Sequence, residues 1–527
     1  MNHGTSRHPA GPARAGAALA ALLVSAALLA GCSASGSGGH SSDGFAADER
    51  GGPVPAPAAT APDEAGKQEK GDEAAPDYLS TFALDVDTAS YGYARRVLGD
   101  GQLPKPETVR PEEFVNSFKQ GYERPSGNGF SVSVDGARTG EGADDWSLLR
   151  VGLATKAADD TVPRPPAALT FVVDISGSMA ETGRLDLVRT SLAYLTEQLR
   201  DDDSVALVTF SDEAETVVPM TGLRGHRTKI REAVESLRTD SATNVAAGVE
   251  RGYDEAVEGR REGATNRVVL LSDALANTGE TDADAILERI GSSRREYGIT
   301  LFGVGVGSDY GDALMERLAD KGDGDTTYVA DEAQARKVFV DQLPAHVELR
   351  ARDAKAQVAF DRKTVRQFKL IGYENRAVAD EDFRDDDVDG GEVGPGHTVT
   401  ALYAVRLRPG ASGHVATATV RWLDPATRKA REATGSVEAD ALDQALWGTS
   451  DERLQVTATA AYFADILRGG TLPGTPHLGE LASRARKLAA ETEDGSVARL
   501  ADAISQAAVL KGAADEMPAV PAEGEID

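Results

Sequence analysis

The run Phe171-Val172-Val173-Asp174-Ile175-Ser176-Gly177-Ser178 ends a short apolar stretch in one carboxylate and two hydroxyls, with a glycine between the hydroxyls. These are small, hard oxygen donors, and three of them aimed at one point suit a hard cation such as Mg2+ or Mn2+. Gly177 allows the backbone to fold tightly enough for Asp174, Ser176 and Ser178 to converge. Two later segments offer the same chemistry. Thr243 lies in Ser241-Ala242-Thr243-Asn244, and Asp273 closes the apolar run Val268-Val269-Leu270-Leu271-Ser272. Taken alone, an Asp with two Ser residues could merely form local turn bonds. The arrival of all three segments, each at the end or start of an element, favours the cation.

The elements that must position these groups are legible in the same pattern. Ala168-Leu169-Thr170 leads into the first apolar run, which reads as a strand buried on both faces. Asp174 then stands at its C-terminal end, where open α/β sheets hold ligands. Thr243 opens an amphipathic helix from Asn244 to about Val257, and Asp273 ends a second buried strand. Around them strands and helices alternate. Leu185 to Leu199 puts Leu185, Val188, Leu192 and Leu195 on one helical face. Val205 to Phe210 is a strand, Val217-Val218 an edge strand, and His226 to Leu237 a helix whose polar start leaves His226 in solvent. A helix over Ala283 to Tyr297, a strand over Ile299 to Val306, a helix over Asp312 to Ala319 and a strand over Thr327 to Val329 follow, and Asp331 caps the closing helix. Residues 166–346 are therefore expected to form a doubly wound, mostly parallel sheet. Gly303, Gly305 and Gly307 lie inside a strand at a spacing unlike a dinucleotide fingerprint, so no nucleotide is expected; they suggest close packing of a helix or loop.

Asp-x-Ser-x-Ser, then Thr, then Asp resembles the metal-ion-dependent adhesion site of von Willebrand factor type A domains, which have a Rossmann-like fold. The resemblance implies a metal set of Asp174, Ser176, Ser178, Thr243 and Asp273. Mg2+ is the implied ion, with Mn2+ or Ca2+ as substitutes. It also implies that hydroxyls leave the ion much of its charge, so that an open position attracts an Asp or Glu carboxylate of a protein partner. The loops after 174, 211, 240 and 273 would form the rim. Ala274 stands where that family often has Gly, a loop-shaping position.

The flanks supply the setting. Residues 1–31 have a basic start at Arg7 and Arg14 and an apolar stretch from Ala15 to Ala30 that is short for a bilayer span. They end in Leu29-Ala30-Gly31-Cys32, which resembles the bacterial lipobox and implies a lipoprotein signal peptide, acylation of Cys32, and anchoring on the extracytoplasmic face of the cell membrane. Residues 32–76, rich in Gly, Ser, Ala, Pro and Glu, read as a flexible tether. In the region 77–165, Phe82 to Val86 is a strand, Asp87 or Thr88 caps a helix reaching Leu98, and Pro111 starts another with Glu112 and Glu113 in its first turn. Phe130 to Val134 and Trp146 to Leu153 alternate as strands. Asp85-Val86-Asp87 resembles the opening of haloacid-dehalogenase-type phosphatases, but Ala89 occupies their fifth position; a capped helix start or a second cation site are the other readings. Residues 347–425 read as β-rich, sandwich-like and joined by the strands at 130–153, with Asp385-Asp386-Asp387-Val388-Asp389-Gly390 as a solvated acidic loop or an adventitious Ca2+ site. Residues 426–513 read as helical and 514–527 as a loose tail. A type A domain inserted in a sandwich is the way the inter-alpha-trypsin inhibitor heavy chains are built. Phe82 to Tyr91, Leu370 to Arg376 and Gly396 to Tyr403 together resemble a bacterial lipoprotein family with a short N-terminal region, a central type A domain and an uncharacterised C-terminal domain.

The net charge of −29 sets the chain against nucleic acid and anionic lipid surfaces, and a single cysteine excludes an intrachain disulfide. Three functions remain: a surface-anchored, metal-dependent protein-binding module, a structural envelope scaffold, and a metal-dependent hydrolase. The last would need a general base, and the metal motifs contain no His or Glu. The chain is expected not to be an enzyme.

Overall fold

The computed structural model describes residues 78–140, 146–158, 164–273, 282–307, 312–320, 324, 326–342, 348–386, 388–425 and 427–516. The leader, Cys32, the tether, Ala274, Asp387 and residues 517–527 of the tail lie outside the described residues.

The chain opens with β1 (Leu79–Ala83), α1 (Ala89–Gly99), α2 (Pro111–Asn116), β2 (Phe130–Arg138) and β3 (Trp146–Thr155). The middle runs β4 (Ala167–Asp174), α3 (Leu185–Gln198), β5 (Ser204–Phe210), β6 (Ala214–Gly222), α4 (Arg227–Ser236), α5 (Val245–Glu258), β7 (Thr265–Ser272), α6 (Ala283–Tyr297), β8 (Thr300–Val306), α7 (Asp312–Asp320), β9 (Thr326–Val329) and α8 (Glu332–Arg336). It closes with β10 (Ala351–Phe360), β11 (Val365–Ile371), β12 (Gly391–Val393), β13 (Thr398–Leu407), β14 (His414–Leu423), β15 (Ala430–Glu438), α9 (Glu452–Arg468), α10 (Leu478–Thr492) and α11 (Gly495–Glu516).

The middle elements build a 6-stranded sheet in the order β6-β5-β4-β7-β8-β9, parallel except for the antiparallel edge β6. This is the doubly wound arrangement expected. Every residue of β4 is buried, because apolar layers cover both of its faces. One holds Leu185, Val188, Leu192, Ile230 and Phe339, the other Val245, Val249, Ile286, Ile290 and Met315. Helix α5 lies close on the sheet because of its glycines: a Cβ on Gly248 would meet the Phe210 ring at 2.5 Å, and one on Gly252 would meet Val172 Cγ2 at 2.3 Å. Gly303 likewise lies close to α7: a Cβ there would meet Met315 at 2.9 Å, as its place in a packed strand suggested.

The flanks form two antiparallel sheets, β11-β13-β3-β2 and β1-β10-β14-β15, with β12 paired to β10. They face each other across a shared core of Phe82, Leu149, Val151, Val358, Tyr403 and Val420, with Phe360 edge-on to Tyr403 at 5.3 Å. Strands before and after the parallel sheet thus pair within one sandwich, and the parallel-sheet segment interrupts it. Strand β3 is buried along both faces. Its other face, through Leu148, packs on the layer made by α1, α2 and α9 to α11.

The expectation of a helical segment from 426 needs correcting. Residues 430–438 form strand β15, paired to β14 from Leu423↔Ala430 to His414↔Glu438. The strand is mostly polar and exposed, as a sheet edge allows; only the small Ala433 and Gly435, half-buried, and the buried Val437 alternate inward, a period too weak to announce a strand. After a short 3-10 turn at Ala439–Leu442, α-helix starts at Glu452, capped by Asp451, which accepts from the Leu454 amide. The acidic loop at 385–390 is also more than a solvated turn: Lys355 Nζ donates to the carbonyls of Asp385 and Val388, at 2.5 and 2.6 Å.

Candidate metal centre

Asp174 is the last residue of β4, at the point where the strand order reverses between β5 and β7. A crevice opens there because neighbouring crossovers leave to opposite sides. Backbone bonds gather the loops around it. Ile175 N donates to Phe210 O at 2.9 Å, Asp240 N to Ile175 O at 2.6 Å, Gly177 N to Ser241 O at 3.1 Å, and Asn244 N to Ser211 O at 2.7 Å. A Cβ on Gly177 would sit 3.2 Å from the Ser241 carbonyl. Glycine eases the close approach of the Ser176–Ser178 turn to the loop that carries Thr243.

The side chains follow. Asp174 is fully buried; its Oδ1 accepts the Ser176 amide at 2.8 Å and its Oδ2 the Ser272 hydroxyl at 2.6 Å. The Ser176 and Ser178 hydroxyl oxygens stand 3.1 Å apart. Thr243 is buried two residues ahead of α5, whose start is capped by Asn244 accepting from the Ala247 amide. Asp273, fully buried, follows β7 directly. All five residues singled out from sequence therefore sit at the C-terminal edge of the parallel sheet. Asp174, Ser176 and Ser178 are in direct hydrogen-bonded contact, and Thr243 and Asp273 are carried on adjoining loops.

Electrostatics favour an added cation. Burial pushes the Asp174 carboxyl up to about 6; the nearby Asp273 charge adds to this, while the Ser272 and Ser176 bonds oppose it. A carboxylate held above its ordinary range is one whose ionised form lacks positive charge around it. Two carboxylates and three hydroxyls are the donors a hard divalent ion takes. The residues present fit such an ion.

Sequence reasoning missed Arg184. It lies just before α3, 2 % exposed, and its Nη1 donates to Asp273 Oδ2 at 2.8 Å and to the Ser178 carbonyl at 3.1 Å. Its Nη2 reaches Glu181 at 2.8 Å. The guanidinium ties the loop after β4 to the residue after β7. Gly307, at φ +85°, leaves room for it: a Cβ there would lie 2.6 Å from Arg184 Nε. A lone basic residue after the Asp-x-Ser-x-Ser turn was the available signal. Its partner, 89 positions on, could not be read from spacing. Ser272 was likewise visible only as the polar end of an apolar run.

The other candidates resolve differently. Asp85, Asp87 and Glu113 bring ligand oxygens within 4.8 Å of one another, all buried, and each also accepts a backbone amide. Asp85 Oδ1 accepts the Asp87 amide at 2.7 Å, Asp87 Oδ1 the Thr326 amide of β9 at 2.5 Å, and Glu113 Oε2 the Ser90 amide at 2.7 Å. Arg376 reaches Asp87 at 3.1 Å and Asp85 at 3.5 Å. The group is a strut joining the N-terminal segment to the parallel sheet. This corrects the capping expectation: Thr88 holds the N-cap position of α1 without a side-chain bond, and Asp87 spends its carboxylate on a strand distant in sequence. His226 is the exposed N-cap of α4, its Nδ1 2.9 Å from the Gly222 carbonyl.

Comparison with known proteins places these features. The von Willebrand factor type A domain profile matches residues 168–342, a profile for the C-terminal part of the uncharacterized protein YfbK matches 347–415, and a von Willebrand factor profile matches 64–144. The uncharacterized protein YfbK of Escherichia coli (strain K12) is 36% identical over 337 residues, covering 62% of this chain and 58% of that protein. Inter-alpha-trypsin inhibitor heavy chain H3 of Homo sapiens is 26% identical over 189 residues, 34% of this chain and 21% of that protein. The chain thus spans less than two thirds of the length of either relative. Among solved structures, a von Willebrand factor type A protein from Catenulispora acidiphila overlays with a TM-score of 0.44 at 17% identity, covering 71% of this chain and 89% of that one.

Proposed function

This chain belongs to the bacterial von Willebrand factor type A family, and from that premise we propose that it is an envelope-anchored module that binds a protein partner through a divalent cation. One observation carries the proposal: Asp174, Ser176 and Ser178 stand together at the switch point of the sheet, with Thr243 and Asp273 on the loops that adjoin them. An ion bound there, Mg2+ or in its place Mn2+ or Ca2+, supplies an electrophilic coordination position for an Asp or Glu carboxylate of the partner. Asp174 supplies the anionic anchor, held in orientation by Ser176 and Ser272. The three hydroxyls contribute oxygen without charge. Arg184 holds Asp273 in place and spreads its negative charge. Cys32, acylated, is the membrane attachment, and residues 32–76 are the tether that carries the module outward from the extracytoplasmic face.

The first test is Mn2+ titration of the purified chain by calorimetry. One site is expected in the native chain, lost in Asp174→Ala with the circular-dichroism spectrum unchanged; equal binding by both chains would remove the reading. Crosslinking in intact membranes then identifies the partner as the adduct present with native chain, lost in Asp174→Ala and lost in chelator. Membrane attachment is read separately, as the release of Cys32→Ala into the soluble fraction.

A further inference from the structure

A second, unrelated recess lies where α1 and α11 meet β9 and α8. It is a cavity of about 280 Å3, walled by Tyr91 and Arg95 of α1, Tyr328 of β9, Asp331 and Lys337 around α8, and Arg499 of α11. A neighbouring cavity of about 270 Å3 shares Gly92, Arg95, Asp331 and Gln334 with it and is closed by the mutually paired Arg96 and Asp100, so Arg95 stands between two adjoining spaces.

The charge of the lining is opposite to that of the protein. Arg95, Lys337 and Arg499 face one carboxylate, Asp331, in a chain of net charge −29. Asp331 is already occupied as the cap of α8, its Oδ1 accepting the Gln334 amide at 2.8 Å. Among the described residues neither Arg95 nor Arg499 forms an ion pair; Arg95 lies over the Tyr91 ring, 5.8 Å from its centroid. The Tyr91 hydroxyl is buried and has no hydrogen-bond partner among the described residues. Burial raises its pKa, both arginine charges act on it in the opposite sense, and Asp502 adds a smaller upward push. Two guanidiniums without carboxylates, beside a phenol whose donor is unused, leave a set of fork-like and single donors around one space.

We propose that this cavity binds a small phosphate monoester, its dianionic head on Arg95 and Arg499 and its organic part in the adjoining space. Arg95 and Arg499, neither of them in an ion pair among the described residues, offer two guanidiniums to one ligand, which a phosphate dianion answers better than a single carboxylate does. Guanidinium forks match the oxygens of such a group bidentately. The site is independent of Asp174 and its neighbours and would hold its ligand with or without a divalent ion.

The test is isothermal titration of the full chain, in chelator and at constant ionic strength, with inorganic phosphate and with phenyl phosphate. Saturable binding of both is expected, phenyl phosphate the tighter. Arg499→Gln and Arg95→Gln should each weaken it roughly 10–100-fold, the loss of a charge-assisted bond. Asp174→Ala should leave it unchanged. Arg499 is exposed on its helix, so Arg499→Gln keeps the fold. Absence of saturable phosphate binding, or equal affinity in native chain and Arg499→Gln, overturns the site. Weaker binding of phenyl phosphate than of phosphate overturns the assignment of an organic monoester.

Discussion

Replacing Arg184 by Met should make the stability of the parallel-sheet domain depend on divalent cation. The guanidinium is 2 % exposed and its bond to Asp273, at 2.8 Å, joins two buried groups. Glu181, its other partner, has a side chain 66% exposed and contributes little. Removing one member of a buried ion pair costs about 3–5 kcal/mol, because the remaining charge stays desolvated. In a domain of this size, 1 kcal/mol moves the midpoint by about 2–4 °C, so Arg184→Met should melt roughly 6–20 °C lower in chelator. A divalent ion bound at the proposed site would stabilise the native chain by about 2.7 kcal/mol at 100 times its dissociation constant. In Arg184→Met the same ion would also replace the missing positive charge beside Asp273. Its upward shift should be about twice that of the native chain. Differential scanning calorimetry of both chains, in EDTA and in excess MgCl2, reads this directly. An Mg2+-induced shift of equal size in the two chains would refute the reasoning, as would an unchanged midpoint for Arg184→Met in chelator.

Other perturbations follow from the same contacts. Burial, with a smaller push from the Asp85 charge, raises Glu112 to about 7. Its folded-state value exceeds its unfolded one, so stability is fully present below about pH 4.5, falls as pH rises and is lost by about pH 7. Glu112→Gln should therefore raise the melting temperature at pH 8, by about 2–3 kcal/mol in stability, and change little at pH 4.5; a gain independent of pH would rule this out. Arg267 of β7 and Glu392 of β12 form a buried pair at 2.6 Å that ties the parallel sheet to the sandwich. Arg267→Met alone should cost about 3 kcal/mol in urea melts, the low end for a broken buried pair because Arg352, 3.7 Å from Glu392, still answers its charge, while adding Glu392→Met should recover part of it. Gly252→Ala places a methyl 2.3 Å from Val172, two residues before Asp174. It should cost about 1–3 kcal/mol and weaken Mn2+ binding, measured on one sample by melting and titration.

The candidate site was legible because its carriers advertise themselves. Strands β4 and β7 are buried on both faces and so are written as apolar runs, and each run is followed at once by a carboxylate. The doubly wound fold was legible for the same reason, as apolar strands alternated with amphipathic helices such as α3 and α5. What escaped was polar. Strand β15 exposes most of its side chains on a sheet edge, and its inward stripe of Ala433, Gly435 and Val437 is too small to betray it. Asp87 looked like a helix cap because the local options are all that a sequence window holds, whereas its partner is the Thr326 amide, 239 residues on.

The order of residues by itself determined which oxygens this protein can present to a cation and at which end of the strands they stand, since burial and strand polarity are written locally. Tertiary structure alone decided which charges answer them. Arg184 on Asp273, Arg376 on Asp85 and Asp87, Arg267 on Glu392 and the arginines around Tyr91 are pairings or gatherings between elements far apart in the chain. A single charged side chain carries no period and no partner's address; only the packing of sheets and helices brings it within reach of one.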